Sequence, residues 1–174
     1  VFITFIKLLP RSLVSIFAKQ YVAGEHVDDV LKVTKKLNDS GYRVTVDILG
    51  EHFSDQNEIK NIISEYSLLY KLIEKNKLDA NISIKPTHIG LDVSYDYCLN
   101  SFKNILKTAE KYNNFLRIDM ESSKATDDTI KIYGELAENS FNVGPVFQAY
   151  LNRTYSDIQN IENKEKLNFR LCKG

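Results

Sequence analysis

The chain has 174 residues, 43% of them hydrophobic and 26% charged, with no Trp. That is enough apolar material for one core, at a length that suits one domain. Lys+Arg and Asp+Glu each total 23, so the formal net charge is zero, and no global charge draws the chain to nucleic acid, an anionic membrane or an acidic partner. Cys98 and Cys172 stand far apart and fit no metal or redox spacing; they read as reduced thiols in a cytosol-like compartment.

Val1 to Leu9 is apolar but short, interrupted by Lys7 and Pro10. A membrane span needs about 20 apolar residues, and the segment lacks the charge-first layout and cleavage site of a signal peptide. Leu13 to Tyr21 reads as an amphipathic helix packed on the domain. Glu25 to Asp39 is a clearer helix, with Val27, Val30, Leu31, Val33 and Leu37 as apolar positions and Gly41 as its stop. Residues 1–41 are therefore expected to form an N-terminal helical segment, ahead of a domain over 42–174.

An alternation follows. Strands are predicted at Arg43–Leu49, Asn81–Lys85, Phe115–Glu121, Val143–Tyr150 and Leu167–Lys173. Between them lie helices at Ser54–Lys75, near Ser94–Tyr112, at Thr126–Glu138 and near Ser156–Glu162. Asp55 and Glu58 stand in a capping-box relation. The inward stripes are Ile59, Ile62, Ile63, Tyr66, Leu69 and Ile73, then Cys98, Phe102, Ile105, Leu106 and Ala109, then Ile130, Tyr133, Leu136 and Ala137. Crossovers of a dozen residues or more make the strands parallel. An open parallel sheet is covered on both faces and reads as continuous apolar runs. Here each strand carries polar residues on one face near its C-terminal end, as in the run Phe115–Glu121, where Arg117, Asp119 and Glu121 share a side. That pattern favours a (β/α)8 barrel, whose mouth lies at those ends and which takes about 250 residues. Five strands are visible, so an incomplete barrel of about five parallel strands is expected. The start at Val1 without Met, and the stop at Gly174 directly after a strand-like run, add the expectation of a fragment.

The strand ends collect the candidate chemistry: Asp47 and Glu51; Lys85, with Thr87 and His88 just beyond; Asp119 and Glu121; Gln148 and Tyr150; Arg170 and Cys172. Charge inside a barrel is costly, so such groups are either paired or functional. For Asp47, Arg117 and Glu121 a structural network, such as Asp47 with Arg117 closing the barrel floor, weighs as much as a functional role. For Lys85, Asp119, Gln148 and Arg170 together the functional reading is better, because four strands converge on one face. His26, His52 and His88 share no helical spacing and no carboxylate partner set, which points to surface or supporting roles and not to a metal. Gly41 and Gly50 belong to no dinucleotide or phosphate-binding loop. The 19 Tyr and Phe residues fall on helix stripes and read as core.

Five runs carry a resemblance: Thr45-Val-Asp-Ile-Leu-Gly-Glu51, Ser83-Ile-Lys-Pro-Thr-His-Ile-Gly-Leu91, Phe115-Leu-Arg-Ile-Asp-Met-Glu-Ser122, Val146-Phe-Gln-Ala-Tyr-Leu151 and Phe169-Arg-Leu-Cys-Lys-Gly174. In order and at the right strand ends, they resemble proline dehydrogenase, and Tyr21-Val-Ala-Gly24 resembles the approach to that family's barrel. The resemblance implies an FAD-dependent barrel that oxidises L-proline to 1-pyrroline-5-carboxylate, with FAD across the mouth. It implies that Lys85 holds the substrate carboxylate and that Glu51 pairs with an arginine of the family's last helix. By the same resemblance Asp119 is an active-site acid, Arg170 lies beside the flavin N5 region, Gln148 hydrogen-bonds the flavin ring, and Lys173 and Gly174 begin a segment that wraps the cofactor. A quinone or another electron acceptor, and a cytoplasmic or peripheral inner-membrane location (mitochondrial in a eukaryote), go with that reading. Two rivals stand beside it: a Schiff-base lyase or aldolase using Lys85 or Lys173, and a non-catalytic fragment.

Overall fold

The computed structural model describes residues 22–162 and 164–174. The readings of Val1–Leu9 and Leu13–Tyr21 lie outside the described residues. The chain falls into two compact units, Val1–Tyr42 and Arg43–Gly174.

In the first unit, helix α1 spans Val27–Asp39. The Asp29 carboxylate accepts from the His26 backbone N–H at its start, where an acid also suits the helix dipole. Gly41, at φ 86°, takes the left-handed turn that ends it.

The second unit is built on five parallel strands: β1 (Val44–Val46), β2 (Ala80–Ile84), β3 (Leu116–Ile118), β4 (Val143–Gln148) and β5 (Arg170–Cys172). They pair in the order β1-β2-β3-β4-β5. An open doubly wound sheet reverses its strand order at a switch point; an unbroken sequential order winds in one direction, as barrel strands do. The strands thus form the half-barrel that the polar strand ends predict.

Helices α2 (Gln56–Lys75), α3 (Tyr95–Lys111), α4 (Thr126–Ala137) and α5 (Thr154–Gln159) connect them. Asp55 caps α2, accepting from Asn57 N at 2.8 Å and Glu58 N at 3.0 Å. Ser94 caps α3 by accepting from Tyr97 N. The core joins the outer faces of the strands to these helices. Ile82, Ile84, Leu116, Ile118 and Phe147 are buried with Ile59, Tyr66, Leu69, Tyr70 and Ile73 of α2, the whole expected stripe of α3, and Ile132, Tyr133 and Leu136 of α4. Each fully buried Leu, Ile or Phe among them contributes about 1.5–3 kcal/mol by leaving water.

Three expectations are adjusted. The strands are shorter at their C-terminal ends than the alternation implied, because the polar side chains there replace the ladder. Asp119 accepts from the next backbone N–H, that of Met120, and Lys85 precedes Pro86, which opens a 3-10 turn over Pro86–Ile89. Tyr70 is core and was absent from the stripe, while Ile62, Ile63 and Ile130 are only half-buried. The aromatics are not all core: Tyr42, Phe141, Tyr150 and Tyr155 are exposed.

Candidate active site

The inner face of the sheet divides into a floor and a mouth. At the floor, Arg117 of β3 is buried and donates to the Asn168 backbone oxygen at 2.6 Å and to its side-chain oxygen at 3.0 Å. Gly144 of β4 makes this reach possible: a Cβ there would collide with the Asn168 carbonyl and stand 2.7 Å from an Arg117 nitrogen. Burial, and then the nearby charge of Arg170, lower the Arg117 guanidinium to about 10. The expected pairing of Arg117 with Asp47 is therefore replaced by one with Asn168: Arg117 ties β3 to the entry of β5 while Asp47 faces the mouth.

At the mouth, continuing the Ile84–Ile118 register by one residue puts Lys85 level with Asp119, and the Asp119 N–H donates to the Ile84 carbonyl at 2.9 Å. Two ion pairs stand here. Lys85 Nζ lies 3.1 Å from Glu51, and Arg170 Nη2 lies 3.1 Å from Asp119. Burial works against the Lys85 ammonium, but the hydrogen bond and charge of Glu51, with the charges of Asp47 and Glu121, outweigh it and raise Lys85 above its ordinary value. The same bond and charge lower Glu51. Lys85 is thus favoured as an ammonium, whereas a Schiff-base nucleophile needs a free amine.

The remaining mouth residues act as frame. Glu121 accepts from Thr87 twice, from the backbone N–H at 2.9 Å and the hydroxyl at 2.6 Å, joining the ends of β2 and β3. Thr87 also accepts from the His52 backbone N–H and, through its carbonyl, from Phe53 N, so the 50–53 loop is sewn onto it. His52 sits at φ 62°, a strained backbone for a non-glycine residue. Its ring lies 2.8 Å from Asp92, a carboxylate partner that chain order does not reveal because 40 residues separate the two. That bond and charge raise the His52 imidazole. His88 lies inside and not on the surface, wholly buried, with Nδ1 3.1 Å from the Tyr66 hydroxyl and its ring 4.9 Å from that of Phe53. Burial, then the charge of Lys85, lower its pKa, so it stays neutral at pH 7. The Gly50 Cα passes close over this ring: a Cβ would come within 2.5 Å of His88 Nε2.

On the β4 side the Gln148 amide donates to the Met120 carbonyl at 3.2 Å. The Gln148 backbone carbonyl accepts from the Thr154 hydroxyl at 2.6 Å. Tyr150 N donates to the Lys173 carbonyl, and Gly174 packs where a Cβ would stand 3.1 Å from Tyr150 Cβ and 3.2 Å from Gln148 Cβ. Cys172 is a free thiol, half-buried on the same face as Gln148.

Lys85, Glu51, Asp119, Arg170 and Gln148 thus line one end of one sheet. The sequence model of the family described as proline dehydrogenase matches residues 30–174. The chain belongs to the proline dehydrogenase family. It is 35% identical to proline dehydrogenase 1 of Bacillus subtilis subsp. natto over 90% of this chain and 52% of that protein. It is 24% identical to the proline dehydrogenase of Deinococcus radiodurans over 97% of this chain and 56% of that one. The chain therefore spans about half the length of these proline dehydrogenase relatives. Among solved structures, proline utilization A from Bdellovibrio bacteriovorus, inactivated by N-propargylglycine, superposes with a TM-score of 0.80 at 25% identity, over 90% of this chain and 20% of that one. Proline utilization A from Corynebacterium freiburgense does so with a TM-score of 0.70 at 24% identity, over 83% and 17%.

Sequence reasoning left Asp47 undecided, and it belongs to this mouth. It lies within electrostatic reach of Lys85, Asp119, Arg170 and Glu121. Its spacing of four from Glu51 at a strand end was the available signal.

Proposed function

We propose that this chain forms the first half of the barrel of an enzyme that oxidises L-proline to 1-pyrroline-5-carboxylate with FAD, over residues 42–174, with 1–41 as a helical lead-in. The observation that carries the reading is the pair of mouth cations, Lys85 on β2 and Arg170 on β5, each held 3.1 Å from its own carboxylate.

The residues suit a flavin. Its ring offers carbonyls, an N–H and an electron-accepting nitrogen; Arg170 provides a fixed cation and Gln148 an amide, and Gly174 leaves a cradle that a Cβ would crowd. Arg170, Gln148, Asp119, Lys173 and Gly174 would hold it. When bound, FAD accepts a hydride, which no side chain can do. The protein's own work is binding and orientation. Lys85 receives the substrate carboxylate by charge, displacing Glu51, and so fixes where the reacting carbon lies. Arg170, positioned by Asp119, puts positive charge where negative charge develops. A quinone or another acceptor would take up the electrons; the family resemblance supports that, and with it a cytoplasmic or peripheral membrane location. Among the described residues no helix is long and apolar enough to cross a membrane.

The test uses the complete protein that contains this chain. Purified with FAD, it should be yellow, lose its visible absorbance on anaerobic addition of L-proline, and yield the cyclic imine by mass spectrometry. A colourless protein, or a flavin that L-proline leaves oxidised, would overturn the reading. A lysine adduct trapped by borohydride would install the Schiff-base rival in its place.

A further inference from the structure

Four carboxylates face the mouth, and three of them are engaged. Glu51 holds Lys85, Asp119 holds Arg170 and the Met120 N–H, and Glu121 holds Thr87 by two bonds. The fourth, Asp47, follows β1 and has no hydrogen bond or close ion pair among the described residues. It follows Val46, which pairs with Ile82, so it sits at the same end of the sheet as Lys85, within electrostatic reach of Lys85 from β2, Asp119 and Glu121 from β3, Arg170 from β5 and the buried Tyr66 of α2. It is also the one of the four for which the site has no structural use.

The chemistry of the proposed reaction lacks a part that such a group supplies. A ring ammonium has no lone pair, so it cannot form a C=N bond until it loses a proton. Among the described residues Lys85 is an ammonium, Arg170 a guanidinium, Asp119 and Glu121 are committed to partners, and Glu51 is held by Lys85 until substrate displaces it.

We propose that Asp47 is a further catalytic residue of this site, the base that takes the proton from the substrate's ring ammonium. This rests on the proline-oxidation reading. One N–H bond of the ammonium breaks, an O–H bond forms on the Asp47 carboxylate, and the electron pair stays on nitrogen, free to make the C=N bond when hydride leaves the adjacent carbon for the flavin. Asp47 then returns its proton to solvent, to which its side chain is open. Although water reaches it, the strand ends that crowd Asp47 strip part of its hydration and raise its carboxyl to about 6; Lys85 and Arg170 oppose that, while the charges of Asp119 and Glu121 add to it. A base poised near the working pH is the efficient one.

The experiment compares the complete, FAD-loaded protein with Asp47→Asn and Asp47→Glu. Three things are read: the pH profile of anaerobic flavin reduction by L-proline, the flavin absorbance per chain, and the dissociation constant of cyclopentanecarboxylate, which has the ring and the carboxylate but no nitrogen. In the wild type, reduction should fall as pH drops through about 6. Asp47→Asn should slow reduction about 10²–10⁴-fold and abolish that acid limb, while flavin content and cyclopentanecarboxylate binding stay within about twofold. Asp47→Glu should keep an acid limb at a shifted pH and recover part of the rate; it serves as the decisive variant where Asp47→Asn fails to load flavin. Wild-type rate and pH limb in Asp47→Asn would overturn the proposal and leave proline oxidation standing. Equal losses of cyclopentanecarboxylate and proline binding would overturn it too, by making Asp47 a shaping residue only. A wild type that does not transfer electrons from proline would overturn both readings together.

Discussion

Lys85 and Glu51 hold each other at 3.1 Å across the ends of β2 and the β1 loop, so the cation best placed for a substrate carboxylate already carries a carboxylate. The pair lies partly in solvent, where an ion pair adds little to stability. On the proline-oxidation reading, its value is in keeping Lys85 charged and oriented until substrate replaces Glu51. Burial alone would work against that charge.

In the complete protein, Lys85→Ala should weaken proline and cyclopentanecarboxylate binding by about 1.5–3 kcal/mol, as expected for a hydrogen bond to a charged group. Flavin content should stay unchanged, since Lys85 is assigned no contact with the cofactor. Titration of flavin absorbance against each ligand measures both quantities. Unchanged dissociation constants would remove Lys85 from the carboxylate site.

Arg170 tests the cofactor side. It stands 3.1 Å from Asp119 at the start of β5, and Arg117 one inward-facing layer below is committed to Asn168. Arg170→Met deletes the positive charge proposed to stand beside the flavin, so it should lower the flavin potential and slow reduction by proline about 10²-fold. Equilibration with a redox dye reads the potential. A wild-type potential would make Arg170 a structural partner of Asp119 and nothing more.

The sequence made the architecture legible because a barrel writes itself in two independent periods: alternation on strands and a 3.6-residue stripe on helices. The α3 stripe of Cys98, Phe102, Ile105, Leu106 and Ala109 is buried as expected. The polar strand ends marked the mouth, and Lys85, Asp119, Gln148 and Arg170 do line one end of one sheet. What stayed hidden were partners. Arg117 with Asn168, His52 with Asp92, and Tyr66 with His88 join residues 51, 40 and 22 apart, and no local pattern encodes which long side chain meets which acceptor. Asp47 was ambiguous for the same reason: its chemistry follows from having no partner, which only the fold reveals.

Gly144 tests the floor. Any Cβ there meets the Asn168 carbonyl, which is main chain and cannot swing aside. Gly144→Ala should destabilise the complete protein by about 1–3 kcal/mol, the cost of overpacking a filled interior. Urea unfolding of the two proteins measures it. The same change should also loosen Arg117 and the entry of β5, so flavin retention on gel filtration should fall with it. Equal urea midpoints would show that β5 has room to shift.

The last prediction concerns what Asp47 costs the fold. Its folded carboxyl is raised from 3.8 to about 6, chiefly by burial. A raised acid holds its proton in the folded state through a pH range in which the unfolded chain has already released it. Between about pH 4 and 6 the folded state therefore binds more protons than the unfolded one, and stability falls as pH rises through that window. Above it, the ionised and unpartnered carboxylate is a standing penalty, reduced by the solvent that reaches it. Asp47→Asn removes the ionisation. The variant should match the wild type near pH 4 and unfold at a higher temperature at pH 7–8, the same conditions in which it should be the poorer catalyst. A trade of stability for activity at one residue is what a functional group held against its preference produces. Heat-unfolding midpoints of the two FAD-loaded proteins at pH 4.5, 6 and 7.5 decide it. A variant less stable than the wild type at pH 7.5 would show that Asp47 is held by interactions that stabilise its charge, and that it is not the strained group of the mouth.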